Sequence, residues 1–168
     1  MNALNFLLAA PRRLLAVMAL ACAGLLGFAL YLQHHVGLEP CPMCIVQRYA
    51  LTGVLMAALL GSLWGRRWWL WLWGGAALLI SGFGAFVAAR QSWMQWYPPE
   101  TVTCGRDFYG IVENYPISKA IPMLFRGSGD CTAVDWSLLG LSIANWSFLT
   151  FAAFCIALLW AAWRLRAR

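Results

Sequence analysis

The sequence predicts an all-α membrane protein: a bundle of four transmembrane helices with a long second loop on the outer side, forming one integral membrane domain over residues 1–168. Three observations carry this expectation. Only 11% of the residues are charged and 62% are hydrophobic, whereas a soluble domain carries about 25% charged residues. Four apolar runs are each long enough to cross about 30 Å of hydrocarbon as a helix of roughly 20 residues. All six acids lie at one end of those runs, and seven of the twelve basic residues flank the other end, where there is no acid.

The first run, about 14–32, follows Arg12-Arg13 and small residues, so a secretory signal has to be considered. Its apolar core exceeds the 7–15 residues of a signal core, and three more runs follow it, so it reads as a retained span. The residues ahead of Ala21-Cys22 do not fit a lipoprotein cleavage site. The second run, about 45–63, is the one that carries a charge: Arg48 lies in its first turn, from where it can reach the interface. The third and fourth cover about 68–89 and 143–163.

The net charge of +6 raises nucleic acid as a partner, and its distribution argues against that. Arg12, Arg13, Arg66, Arg67, Arg164, Arg166 and Arg168 flank the spans on one side, with no acid among them. All six acids (Glu39, Glu100, Asp107, Glu113, Asp130 and Asp135) fall in the two segments on the other. Under the positive-inside rule both termini and the 64–67 turn are cytoplasmic, and the loops at about 33–44 and 90–142 face outward. Tryptophans mark both interfaces, with Trp64, Trp68, Trp69, Trp160 and Trp163 inside and Trp93, Trp96, Trp136 and Trp146 outside.

Each span carries small residues at helical spacing: Ala19-Ala23-Gly27, Gly53-Ala57-Gly61, Ala77-Ser81-Ala85 and Ala153-Ala157-Ala161. Such rows are candidate packing seams, because small residues let membrane helices approach closely; Ala and Gly are also simply common in these helices. In the second loop, Ile117, Ile121, Leu124 and Phe125 share one helical face, which Pro122 interrupts. A short surface helix and an irregular loop both fit that stretch.

The chemistry concentrates in Glu39-Pro40-Cys41-Pro42-Met43-Cys44-Ile45-Val46-Gln47-Arg48. A Cys-x-x-Cys pair opens the second span. Pro42 suits a first helical turn, where its missing N–H costs nothing. A helix N-terminus and a nearby cation both favour the reactive thiolate, and Arg48 lies at i+4 from Cys44, on the same face. Two readings of Arg48 stay open: an interfacial arginine that snorkels, or a cation that holds a quinone carbonyl and stabilises the reduced oxygen, with Gln47 as a further donor. His34-His35 ahead of the pair raises a metal site. Its spacing matches no standard one, and interfacial histidines are the better reading, so no metal is expected.

Six cysteines divide by topology. Cys22 and Cys155 lie within spans and read as small buried hydrophobes. Cys41, Cys44, Cys104 and Cys131 all lie outside, and four cysteines allow three connectivities. Cys41–Cys44 with Cys104–Cys131 is the simplest resting state, and closing the longer loop stabilises it by roughly 3–4 kcal/mol. Inert staples are the bland alternative, more for the second pair than for the first.

Pro40-Cys41-Pro42-Met43-Cys44 with Gln47-Arg48-Tyr49, four spans, Gln95-Trp96-Tyr97-Pro98 ahead of Cys104, and Gly129-Asp130-Cys131 together resemble the disulfide bond formation protein B (DsbB) family, over nearly the whole chain. The resemblance implies a multi-pass enzyme of the bacterial inner membrane. Such an enzyme reoxidises a periplasmic, DsbA-like thioredoxin-fold oxidase and passes two electrons to ubiquinone or menaquinone from the membrane pool. It also implies roles: Cys104–Cys131 is attacked by the partner's thiolate, Cys41–Cys44 reoxidises that pair by exchange between loops, and Cys44 meets the quinone beside Arg48. The acceptor must be more oxidising than the partner, near about −120 mV for such an oxidase, so a cofactor is needed. Arg90-Gln91-Ser92 receives no role from the resemblance. Three readings stand beside this one: a specialised paralogue serving a dedicated partner, a disulfide-stapled membrane scaffold without turnover, and a different thiol–quinone enzyme such as a relative of vitamin K epoxide reductase. The last usually carries its Cys-x-x-Cys late in the chain, not after the first span.

Overall fold

Prolines set three of the helix boundaries. A residue before proline is pushed out of the helical region, and proline itself is at home in a first turn. Ala10 ahead of Pro11 and Cys41 ahead of Pro42 are accordingly extended, and helices begin at those prolines. Tyr97 ahead of Pro98 leaves helical geometry and ends a third. The computed structural model describes residues 10–38, 40–98, 134 and 136–166. Among them are helices α1 (Pro11–His35), α2 (Pro42–Leu63), α3 (Arg67–Trp96) and α4 (Ile143–Arg166), with a two-stranded hairpin, β1 (Ser137–Leu138) and β2 (Leu141–Ser142), just ahead of α4. All four helices are long and apolar enough to cross a membrane.

The four expected spans are all present, and one boundary is corrected. The third was expected to end at about residue 89, with the outer loop starting at residue 90. Instead α3 runs on to Trp96, 30 residues in all, or about 45 Å at 1.5 Å per residue. Arg90, Gln91 and Ser92 end the apolar run without ending the helix, because nothing before Pro98 forbids helical geometry. The last turns of α3 therefore carry polar side chains up beside the start of α2. The Ile117–Phe125 stretch, Cys104 and Cys131 lie outside the described residues.

Sequential helices pack closely, α1 on α2, α2 on α3 and α3 on α4. The seam that would close the ring, α1 against α4, is as sparse as the diagonal pair α1 and α3. The core joins Leu15, Met18 and Cys22 of α1 to Val54, Ala57 and Ala58 of α2, Ala77 of α3, and Phe151 and Leu158 of α4. Cys22 is fully buried there and Cys155 is half-buried; both are free thiols.

The small-residue rows behave unequally. In α2 all three positions are close approaches: Gly53 faces Ile80, Ala57 is buried, and Gly61 is wedged between Leu15 and Trp73. In α1 only Ala19 is buried, while Ala23 and Gly27 are exposed, which fits the sparse seam.

At the arginine end, side chains tie helix ends together. Arg12 donates to the carbonyls of Ser62 (3.0 Å) and Leu63 (3.1 Å), the last turn of α2. Arg67 does the same for Leu165 at the end of α4. These carbonyls have no partner within their own helices. Trp69 donates to Leu60 and meets Trp64 and Trp68 edge-on, each at 5.3 Å between ring centroids.

At the other end, β1 and β2 pair antiparallel, Ser137 with Ser142 and Leu138 with Leu141. Leu139 (φ 54°) and Gly140 (φ 77°) make the two-residue turn. Positive φ at both positions is what a type I′ hairpin demands, and Asn-Gly is its preferred pair. A leucine in the left-handed region costs roughly 1–2 kcal/mol.

The close approach of α3 to α4 yields a stability test. A Cβ at Gly84 would lie 2.6 Å from the Phe151 ring. Gly84→Ala is expected to destabilise the bundle by about 1–3 kcal/mol through overpacking. Gly82→Ala, with nothing within 4 Å of its Cβ, should be neutral or stabilising by about 0.5–1 kcal/mol. Thermal unfolding of the two variants in the same detergent measures the contrast.

Candidate redox site

Cys41 occupies the cap position of α2, and its Sγ accepts the backbone N–H of Cys44 at 3.2 Å. A sulfur thus takes one of the N–H groups that a helix start leaves unpaired. Cys41 and Cys44 form a disulfide, with Cα atoms 5.0 Å apart. The expected first pair is therefore present. Met43, Val87 and Met94 pack around it, and Cys41 is only 5% exposed.

Gln91, which the sequence left without a role, places a polar side chain against this disulfide. Its amide nitrogen donates to Cys41 Sγ at 3.2 Å and lies 3.4 Å from Cys44 Sγ. Its amide oxygen accepts from Gln47 Nε2 at 2.7 Å. Both glutamines are buried. Gln47 therefore reaches the disulfide through Gln91, by a relay of two amides. Donors aimed at sulfur favour the charged form once the bond is reduced, and the start of α2 adds a positive dipole end. The signal for Gln91 was present at helical spacing: Gly84, Ala88, Gln91 and Gln95 follow one stripe of α3. It became readable only once the helix was known to continue past residue 89.

Arg48 is half-buried. Its guanidinium donates to the side-chain oxygen of Gln33 and to the carbonyl of Ala29 at 3.2 Å, both on α1. Gln33 is a second residue that sequence reasoning missed, since no spacing rule links positions on different helices. Both acceptors are neutral. Among the described residues there is no aspartate or glutamate at all, so within that set nothing cancels the charge. His35 stacks on Tyr31, with centroids 5.0 Å apart, away from this network.

A cavity of about 350 Å³ opens beside the disulfide. Cys41, Cys44, Gln47, Arg48 and Gln91 line it on the disulfide side, and Gln95, Ser142, Ser147 and Thr150 add polar groups elsewhere. Leu25, Phe28, Leu51, Ile143 and Phe151 supply much of its apolar wall. It lies between α1 and α4, the sparse seam, and Val134, Trp136 and Leu138 close one side. Trp136 meets Phe28 edge-on at 5.8 Å. A small polar edge facing a mostly apolar chamber suits a ligand that is greasy over most of its surface and carries hydrogen-bond acceptors at one end.

The model of the family described as "Disulfide bond formation protein DsbB" matches residues 11–161. Disulfide bond formation protein B of Paracidovorax citrulli (strain AAC00-1) is 68% identical over 155 residues, spanning 92% of this chain and 89% of the relative. The protein of the same name from Acidovorax sp. (strain JS42) is 66% identical over 156 residues, spanning 93% and 90%. That from Polaromonas sp. (strain JS666 / ATCC BAA-500) is 61% identical over 153 residues, spanning 91% of each. With its four-helix bundle, its Cys41–Cys44 disulfide and a match that runs through all four helices, the chain belongs to the DsbB family of disulfide bond formation proteins.

Proposed function

We propose that this protein is a quinone-dependent thiol–disulfide oxidoreductase of the bacterial inner membrane, with both termini cytoplasmic, that reoxidises a periplasmic DsbA-like thioredoxin-fold oxidase. The observation that carries the reading is the disulfide at the wall of an apolar cavity, between helices that cross the membrane. A structural staple has no use for such a chamber.

The electron path runs from partner to loop to helix end. The partner's thiolate attacks the Cys104–Cys131 disulfide, forming a mixed disulfide at Cys104 and releasing the Cys131 thiolate. The partner's second thiol resolves the mixed bond, leaving the partner oxidised and Cys104 and Cys131 reduced. Exchange with Cys41–Cys44 restores the loop disulfide and leaves two thiols at the start of α2. Val134, three residues after Cys131 in sequence, lines the cavity, which supports an exchange between the loops.

Ubiquinone or menaquinone fits the donor set: a largely apolar chamber, a guanidinium and three amides. When bound, the quinone supplies a two-electron acceptor that leaves as quinol, taking two electrons and two protons. Arg48, held by neutral acceptors on α1, binds the oxygen end and stabilises negative charge there. Gln91 holds the Cys44 and Cys41 sulfurs in place, and Gln47 fixes the Gln91 amide. The apolar walls exclude water. Anaerobic mixing of purified protein with reduced partner, followed by quinone absorbance, tests the whole reaction. Loss of the oxidised quinone signal is expected, and an unchanged signal would leave a scaffold.

Cys104→Ser is expected to abolish transfer from the partner while Cys41–Cys44 remains oxidisable by quinone. Cys131→Ser removes the loop disulfide that the partner attacks, so oxidation of the reduced partner should be lost there as well, with Cys41–Cys44 still oxidisable by quinone.

Arg48→Ala should impair quinone use far more than partner binding. Removing a charged hydrogen bond costs roughly 1.5–3 kcal/mol, about ten- to a hundred-fold in affinity or rate. Lysine should restore only part of this, since a point charge cannot make the forked contact. Apparent quinone Michaelis constants at saturating partner separate the three proteins.

Gln91→Leu removes an amide donor from the sulfurs. Quinone reduction by the prereduced enzyme should slow about 2- to 10-fold, the worth of an ordinary hydrogen bond. Attack by the partner at Cys104 should keep its rate, as measured by rapid quenching.

A further inference from the structure

The hairpin ahead of α4 carries a conformational oddity and an exposure that point the same way. Leu139 sits at positive φ, where an asparagine or glycine would be at ease, yet the position holds a large apolar side chain. It is 85% exposed, and Leu138 beside it is 50% exposed. A turn built only to reverse the chain has no need of leucine there. Backbone strain held at a defined position is a reason to look for a function.

The height of the hairpin identifies what covers its tip. Trp136 meets Phe28, two helical turns before α1 ends at His35, which is about 10 Å along the axis from that end. α1 has 25 residues, so at 1.5 Å per residue it exceeds the hydrocarbon thickness by only several Å. Phe28 therefore lies within the acyl region, and Trp136 reaches down to it. The indole N–H of Trp146, in the first turn of α4, donates to the Leu138 carbonyl at 3.1 Å. Ser142, at the end of β2, donates to Gln95 at 2.6 Å. The segment 136–142 is thus pinned to α1, α3 and α4 at the level of the membrane boundary, not raised above it. Ile143, the next residue, is itself 39% exposed, so the apolar tip continues into the lipid-facing surface of α4.

We propose that the hairpin tip, Leu138-Leu139, is a wedge that inserts into the acyl-chain boundary of the leaflet at the cysteine end, with phospholipid tails as its partner. Lipid contact offsets the strain at Leu139, because withdrawing the tip would return two leucines to water. The wedge also holds Trp136 and Leu138 against the cavity, across the outer end of the sparse α1–α4 seam. The inference rests on the fold and its membrane spans, and it stands whether or not the cavity takes a quinone.

The test places an environment-sensitive fluorescent amino acid with a naphthyl ketone side chain at position 139 of the full chain. The protein is reconstituted in phosphatidylcholine–phosphatidylglycerol vesicles. A wedge predicts blue-shifted emission that is quenched by lipids brominated high on their acyl chains and spared by aqueous iodide. Quenching by iodide would put the tip in water, and shielding from both quenchers would put it against protein, a second copy included; either overturns the proposal.

A second measurement uses natural side chains. Asparagine suits the positive φ better than leucine, so a purely conformational turn predicts that Leu139→Asn protects the hairpin amides from hydrogen exchange as well as or better than wild type. A lipid wedge predicts faster exchange in the Asn variant in vesicles, with the amides of α2 unchanged. Equal or slower hairpin exchange in that variant would refute the wedge.

Discussion

A bilayer donates and accepts no hydrogen bonds, so each polar group at membrane depth must find its partner within the protein. The structure is organised by this constraint. It explains why a sulfur caps a helix, why Gln47 and Gln91 are paired before either reaches the disulfide, and why Arg48 turns to a glutamine and a carbonyl on the neighbouring helix. At the arginine end, Arg12 and Arg67 cover the exposed carbonyls at the ends of α2 and α4. The pairing is not complete: among the described residues, the Ser81 and Ser92 hydroxyls and the Trp73 indole N–H are buried without a partner. The redox site is thus one region of a continuous effort to satisfy polar groups, placed where that effort meets a cavity.

The groups around the disulfide differ in kind from those that hold the bundle. The bundle is tied by arginine on backbone carbonyl, contacts that would serve any sequence of the same shape. At the disulfide, contacts between side chains are added to backbone ones: amide on amide, amide on sulfur, and guanidinium on both an amide and a carbonyl. Neutral acceptors orient Arg48 without neutralising it. A carboxylate in place of Gln33 would hold the guanidinium as firmly and would consume the charge that the proposed chemistry draws on.

Hydropathy and charge asymmetry made the helices legible, because span length and loop charge are one-dimensional properties. The Cys41–Cys44 pair and its closeness to Arg48 were legible for a similar reason: all three lie within two turns of one helix. Gln91 and Gln33 were not, since each acts across an interface between helices, and no local pattern marks a glutamine as facing a sulfur rather than solvent. The end of α3 was misplaced because polarity was taken as the boundary, when the boundary is set by Pro98. The α1 row of small residues left two readings open, and its spacing could not separate them: Ala19 is buried, while Ala23 and Gly27 are exposed.

The clasp of Arg12 on Ser62 and Leu63 bears on biosynthesis. Chains emerge from the ribosome amino end first, and early segments can assemble before later ones exist. By the time Leu63 has been made, α1 and α2 possess both halves of their clasp and, at the opposite end, the Arg48 contacts with Gln33 and Ala29. The first helical pair can therefore latch as an autonomous unit while α3 is still being translated. The Arg67 clasp has to wait for Leu165. Assembly has a built-in direction: the half that carries the first disulfide is fastened early, and α3 and α4 are recruited onto a partner that already has its shape.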